Sequence, residues 1–231
     1  MMLAELQLAL AATPADAKRA DYASAIIDGN CLAKPTSSTR RLTNQRLGEL
    51  YGLDPSVAVF RVFRSLWDLE RDGRALLALL ISIARDPLLA ATAPSVIFLP
   101  NGAEFQRDAM KSGLQAVVGA RLNESTLDKV CRNAASTWAQ AGLLEGRIFK
   151  KRRPIHPTSV AVAFAIYLAY TAGFRGAYIF SSAWLRVLDC DPSRARHLAL
   201  DAKRLGLLDL RMAGDVVELN LSRLDPNFEK A

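Results

Sequence analysis

The highest density of positive side chains in the sequence lies at residues 147–153. Five of these seven residues are cations: Arg147, Lys150, Lys151, Arg152 and Arg153. Guanidinium and ammonium groups donate hydrogen bonds to phosphate oxygens, so such a cluster can bind a polyanion. A run of cations is also typical of an ordinary solvated face. The elements on either side of the run must therefore decide between the two interpretations.

An amphipathic helix is predicted directly before this cluster, beginning at Ser125 and ending at Gly142. Its buried stripe is marked by apolar residues at steps of three and four: Leu127, Val130, Ala134 and Trp138. The opposite face carries side chains able to reach phosphates or base edges: Lys129, Arg132, Asn133, Ser136 and Gln140. Gly142 can adopt the left-handed conformation that ends a helix.

A short β-hairpin is expected after Gly142. Its apolar anchors are predicted to be Leu143, Leu144, Ile148 and Phe149, with Glu145, Gly146 and Arg147 in the turn. A helix, a glycine, two leucines and a charged hairpin in this order are typical of a winged helix-turn-helix. In that arrangement the recognition helix enters the major groove and the wing lies along the backbone.

The same arrangement recurs about 64 residues later, where "LGLLDLRMA" matches the earlier "AGLLEGRIF". We predict a helix at 182–188, a turn at 189–192, a second helix from Ser193 to Gly206, and a hairpin that turns at 213–215. The buried stripe of the second helix is predicted to be Ala195, Leu198, Ala199, Ala202 and Leu205. Its outer cations are Arg194, Arg196, His197, Lys203 and Arg204.

The second wing is less basic than the first, since Asp209, Asp215 and Glu218 stand against Arg211. Winged helices also serve as protein-docking modules, so DNA contact and protein docking are equal alternatives for this copy. A third candidate surface is "TSSTRRLTNQR", where a capped helix start is followed by Arg40, Arg41 and Arg46. A charged first turn on a solvent-facing helix is the simpler interpretation of that stretch.

The first hundred residues are predicted to be helical throughout. Prolines and a glycine in "DPLLAATAPSVIFLPNG" interrupt helix formation and place a domain boundary near residue 100. The predicted fold is mainly α, with a helical N-terminal domain at 1–100 and winged-helix modules with short β-hairpin wings at 101–156 and 157–231. "VAVAFAIYLAYTAGF" has only 15 residues, short of the roughly 20 that span a bilayer, so we expect a buried core helix and no membrane partner.

Composition points to a polyanionic partner. The 231-residue chain carries a formal net charge of +7, which favours nucleic acid or an anionic surface. Three scattered cysteines and two histidines indicate neither a disulfide framework nor a metal site, and fit a reducing cytoplasm. We find no Walker loop, nucleophile elbow, HExxH or CxxC motif, so the sequence predicts no enzyme activity, no cofactor and no small-molecule substrate.

Three stretches resemble the BrxA family, the small accessory proteins of BREX phage-defence systems. They are "GNCLAKPTSSTRRL", "ARDPLL" and "STLDKVCRNAASTWAQAGLLEG", within residues 25–155. The resemblance implies a non-enzymatic DNA-binding protein of the bacterial cytoplasm, acting with a methyltransferase, an ATPase and a phosphatase-like protein. The corresponding residues are Ser125, Thr126, Lys129, Arg132 and Asn133.

The sequence thus predicts a non-enzymatic protein that binds double-stranded DNA through a basic winged helix, as an accessory component of phage defence. Two alternatives stay open. One is a protein-interaction scaffold whose basic patch docks an acidic partner. The other is a transcriptional regulator, which would need a dimer with two-fold half-sites.

Overall fold

A computed structural model describes residues 1–214 and 216–228 of the chain. Within them the protein is mainly helical and carries two short antiparallel β-hairpins, as the sequence predicts. The helices of the N-terminal part are α1 Leu3–Ala11, α2 Arg19–Ile27, α3 Ser37–Tyr51, α4 Ala58–Leu69, α5 Arg74–Arg85, α6 Pro87–Thr92 and α7 Pro94–Ile97.

The remaining elements alternate helices with the two hairpins. In chain order they are α8 Arg107–Val118, a 3-10 turn Gly119–Arg121, α9 Glu124–Gln140, β1 Leu144–Glu145, β2 Lys151–Arg152, α10 Ser159–Thr171, a 3-10 segment Gly176–Ser181, α11 Ala183–Val187, α12 Pro192–Arg204, β3 Asp209–Ala213 and β4 Val216–Asn220. Asp215, predicted in the second turn, lies outside the described residues.

Local chemistry explains where the N-terminal helices begin and end. The Thr36 hydroxyl accepts a hydrogen bond from the Thr39 amide and caps α3, whereas the sequence favours Ser37 or Ser38 as the cap. Gly52 ends that helix at φ +92°. The Asp86 carboxylate accepts hydrogen bonds from the amides of Leu88 and Leu89 and so caps α6. The chain bends sharply at this residue, between α5 and α6.

Two helices pass through the centre of the core. Every side chain of α5 from Leu76 to Ile83 is buried, and so is every one of α10 from Val160 to Ala169. Because α10 packs on α4, α5 and α12, its apolar character is explained by burial, as predicted. Within 1–214 and 216–228, no single helix has both the length and the apolar character needed to cross a membrane.

One continuous buried cluster contains residues from all three predicted segments. The indole Nε1 of Trp138 on α9 donates a hydrogen bond of 3.0 Å to Thr92 Oγ1 on α6. Arg61 on α4 makes a bidentate pair with the buried Asp225 near the C-terminal end. The N-terminal helices therefore form the support against which α9 and the later helices are fixed.

Candidate nucleic-acid interface

The helix α9 presents the predicted polar face to solvent. The side chain of Asn123 accepts a hydrogen bond of 2.9 Å from the Thr126 amide, so Asn123 is the cap and Ser125 lies in the first turn, a correction to the predicted start. Leu127, Ala134 and Trp138 are buried as expected. The exposed side chains include Ser125, Lys129, Arg132 and Asn133, whereas Thr126 is half-buried.

Acidic side chains at the start of α9 are partly compensated by a lysine of α8. Lys111 Nζ lies 2.8 Å from Asp128 and also binds Glu124. The hydrogen bond from Lys111 holds the pKa of Asp128 below its usual range. Since Lys111 pairs with both carboxylates, their negative charge weakens the positive potential around Arg132 less than it would without the lysine.

One side of α9 meets a cation that the sequence analysis did not single out. Arg107, the first residue of α8, lines a shallow hollow of about 560 Å³ whose other lining residues are Glu124, Ser125, Asp128 and Arg132. The signal that could have identified it is its place in the first turn of α8, since α8 packs on α9. Arg107 extends the cationic surface away from the hairpin.

The other side of α9 faces the N-terminal helices across a groove of about 750 Å³. Lys129 and Asn133 line this groove together with Arg46 of α3, so two separately predicted sets meet here. Further along, the Leu3 amide donates to Gln140 Oε1 at 3.1 Å, which covers the C-terminal end of α9 with α1. The N-terminal half of α9 is therefore the part that a large ligand can reach.

The first hairpin is part of a small three-stranded arrangement in which β2 is the central strand. β1 and β2 pair in antiparallel register, with Leu144 opposite Arg152. The other edge of β2 pairs with residues 102–105, since the Gly102 amide donates to Arg152 O at 2.8 Å and the Phe105 amide donates to Lys150 O at 2.7 Å. The strand that carries the cations is thus held on both edges.

Arg152 does not belong to the exposed surface, which corrects the predicted phosphate-binding set. Its side chain is 2 % exposed and its guanidinium binds the Asp189 carboxylate. Arg152 Nε also donates to the Val96 carbonyl at 3.0 Å. The reason is strand alternation, because Lys151 faces solvent and the next residue therefore faces the core beside the buried Leu144.

The other cations of the first hairpin remain accessible. Arg147, Lys151 and Arg153 are exposed, and Lys150 is half-buried because its Nζ donates to Gly146 O at 2.8 Å. Arg153 pairs with Glu145 at 3.0 Å, but both side chains are well exposed, so this pair is weak. The first hairpin therefore has three exposed cations and one half-buried cation that could bind a polyanion.

The apolar residues after Gly142 divide between core and solvent. Leu143 and Leu144 are buried and anchor the hairpin as predicted. The prediction that Ile148 and Phe149 are anchors is wrong, since their side chains are 82 % and 71 % exposed. The paired strands are only two residues long, so both residues lie in the loop beyond the last pair.

We expect Gly146→Ala to disrupt the wing. Gly146 has φ +117°, and a Cβ there would lie 2.1 Å from the Phe149 carbonyl oxygen. Strain of this kind costs about 1–3 kcal/mol before the clash is counted. Urea unfolding should show that loss in the free energy of unfolding. The control is Gly102→Ala (φ +81°), where no described atom lies within 4 Å of the added carbon; a loss as large there would contradict this account.

The later part of the chain repeats the helix ending of α9. Gly142 and Gly206 have φ of +85° and +74°. In both copies the first leucine after the glycine donates its amide back into the helix at 3.0 Å, from Leu143 to Trp138 O and from Leu207 to Ala202 O. The predicted second helix pair and hairpin are confirmed as α11, α12, β3 and β4.

The buried stripe of α12 matches the prediction at Ala195, Ala199 and Ala202. Leu198 is only partly buried, and the predicted burial of Leu205 is wrong, since it is 62 % exposed. Leu205 is the last residue before the left-handed Gly206, where the chain turns away from the helix axis.

The cations of the second copy are largely engaged with neighbouring side chains. Arg204 binds Asp201 at 2.6 Å, and His197 lies 3.8 Å from the same carboxylate. The Arg196 guanidinium stacks 5.6 Å from the Phe180 ring centre, and Arg194 lies 3.5 Å from His156 Nδ1. Lys203 is exposed.

Some cations of the second hairpin, and Arg40 of the candidate surface at the start of α3, also have partners within the chain. Arg211 lies 4.0 Å from Glu218 across the hairpin, and Arg223 binds Asp209 at 3.0 Å. Arg40 donates to the carbonyls of Lys34 and Ile27 and so fixes the loop before α3. Arg41 and Arg46 are exposed. The first hairpin and α9 are therefore the strongest cationic surface among the described residues.

Comparison with protein-family models, with curated proteins and with solved structures finds no significant match to this chain.

Proposed function

We propose that this chain binds double-stranded DNA through residues 94–153, which we interpret as a winged helix-turn-helix. The observation that carries the proposal is the position of β2. It lies between β1 and the extended residues 102–105, and the order α7, extended segment, α8, α9, β1, wing and β2 is that of a winged helix. The cations Arg147, Lys150, Lys151 and Arg153 lie on or beside its wing.

In this proposal the N-terminal half of α9 enters the major groove. Lys129, Arg132 and Asn133 face base edges, where arginine and lysine favour guanine and asparagine favours adenine. Ser125, Thr126 and Arg107 lie near the phosphates at the start of the helix, and the wing supplies most of the sequence-independent affinity.

For α11, α12 and the second hairpin we propose a docking role. Arg211–Glu218 and Arg223–Asp209 pairing leaves that wing with little free positive charge, which favours a protein partner over phosphate. On the resemblance to the BrxA family, we propose that the chain acts without enzymatic activity in bacterial phage defence (BREX). It would bind DNA in the cytoplasm beside other BREX proteins.

Substitution of the outer face of α9 tests the proposal. We expect the double variant Lys129→Ala, Arg132→Ala to bind a labelled random-sequence duplex about ten-fold or more weakly, because two charge-assisted contacts are lost. The matched control removes two exposed cations from loops outside the proposed interface, Lys18→Ala and Arg71→Ala. Fluorescence anisotropy gives both affinities. Equal binding by wild type and the α9 variant would favour the rival role, in which the basic patch docks an acidic protein.

A further inference from the structure

The tip of the first wing holds two adjacent apolar side chains in solvent. Ile148 is 82 % exposed and Phe149 is 71 % exposed. Among the residues that the structure describes, the other strongly exposed large apolar side chains are single in the sequence. Contiguous exposed apolar surface is typical of a binding site, so this pair needs an explanation that the proposed phosphate contacts do not give.

Two contacts close the backbone of the tip. Gly146 adopts φ +117° and lies so close to the Phe149 carbonyl that no side chain fits between them. Lys150 Nζ closes the same loop through its hydrogen bond to Gly146 O at 2.8 Å. Because these contacts restrain the loop, burial of Phe149 against a partner costs less conformational freedom than it would in an unrestrained loop.

Charge beside the tip identifies the kind of partner. Arg147 precedes the apolar pair, and Lys150 and Lys151 follow it, so cations lie on both sides. In the second wing, by contrast, the exposed Val216 is accompanied by the compensated pair Arg211–Glu218. An apolar end between two sets of cations complements the minor groove of DNA, where apolar wedges enter between base pairs while cations bind the phosphates on both sides.

We propose that Phe149, next to Ile148 in the sequence, inserts between base pairs from the minor groove and bends the duplex. This inference rests on the proposed DNA binding and specifies the form of DNA that the wing takes. Pyrimidine–purine steps such as TA unstack most easily. The wing therefore favours duplexes with such a step at the position it reaches, without reading base edges there.

The test uses the full chain and duplexes carrying 2-aminopurine at a central TA step, whose fluorescence rises when the base unstacks. We expect wild type to raise the fluorescence. Phe149→Ala should not raise it and should bind about ten-fold more weakly, as expected for one lost base–aromatic contact. Its salt dependence should be unchanged because every cation is kept. Tyr178→Ala, which removes a 78 % exposed aromatic outside this wing, is the matched control.

Three results would overturn the wedge. If Phe149→Ala matches wild type in affinity and fluorescence, the wedge is wrong while DNA binding stands. If wild type binds no duplex at low salt, the proposed function itself fails. If Phe149 is needed for binding phosphatidylserine vesicles but not for unstacking DNA, the tip is a membrane contact. Thermal unfolding of Phe149→Ala should equal that of wild type, since the side chain is exposed.

Discussion

Arg152→Ala is expected to lower the free energy of unfolding by about 3–5 kcal/mol, the usual cost of breaking a buried ion pair by removing one partner. The side chain is 2 % exposed and joins three parts of the chain. It binds Val96 O before the hairpin, Arg153 O within it, and Asp189 at the end of α11. The substitution removes the guanidinium donor from these three acceptors, leaves the Asp189 carboxylate without its cation, and opens a cavity between the first hairpin and α11.

Neighbouring variants make this prediction specific. Lys151→Ala, one residue earlier and exposed, should change stability by no more than about 0.5 kcal/mol. Asp189→Asn should destabilise, because it removes the charge opposite Arg152 while asparagine still accepts the φ of +54° at that position. The double variant should lose less stability than the sum of the losses in the two single variants.

Chemical denaturation of these variants provides the measurement. Equal stability of Arg152→Ala and Lys151→Ala would contradict the buried position of Arg152. It would also return that residue to the phosphate-binding set that the sequence predicted.

The second large effect concerns binding. The wing variant Arg147→Gln, Lys150→Gln, Lys151→Gln is expected to bind random-sequence duplex roughly a hundred-fold more weakly at physiological salt. Each lost phosphate contact removes about 0.9 from the slope of log affinity against log salt, and three such contacts account for the loss. Stability should be nearly unchanged because the wing cations do not contribute to the core.

A matched variant distinguishes the loss of direct phosphate contacts from the effect of a lower net charge. Lys18→Gln, Arg71→Gln, Arg186→Gln removes the same number of positive charges from other elements. Long-range attraction alone predicts equal losses for the two triple variants. Contact through the wing predicts that the matched variant stays within a few-fold of wild type.

Much of this surface follows from local sequence patterns. The spacing of Leu127, Ala134 and Trp138 fixes which face of α9 is buried, and Gly142 fixes where the helix ends. The repeated glycine and leucines predict the second hairpin in the same way. These features depend on residues within a few positions of one another, so periodicity and backbone preference are enough to find them.

The errors arise from contacts that are distant in the sequence. Because the residues of β2 lie within a cluster of five cations, the sequence does not show which side chains of the strand face solvent and which face the core. The burial of Arg152 depends on acceptors 56 and 37 residues away. The exposure of Ile148 and Phe149 follows from strands of only two residues, a length that no pattern in "LLEGRIFKKRR" specifies. Covering of the end of α9 by α1 likewise requires the tertiary fold.

Binding of wild type and the wing variant to one random-sequence duplex across a salt series tests the central claim most directly. We predict that log affinity of wild type falls linearly and steeply with log salt. The slope of the Arg147, Lys150, Lys151 variant should be shallower by roughly 2 to 3, the count of lost phosphate contacts multiplied by about 0.9 each. Equal slopes, or no binding by wild type even at low salt, would contradict a DNA-binding wing and direct the search to a protein partner.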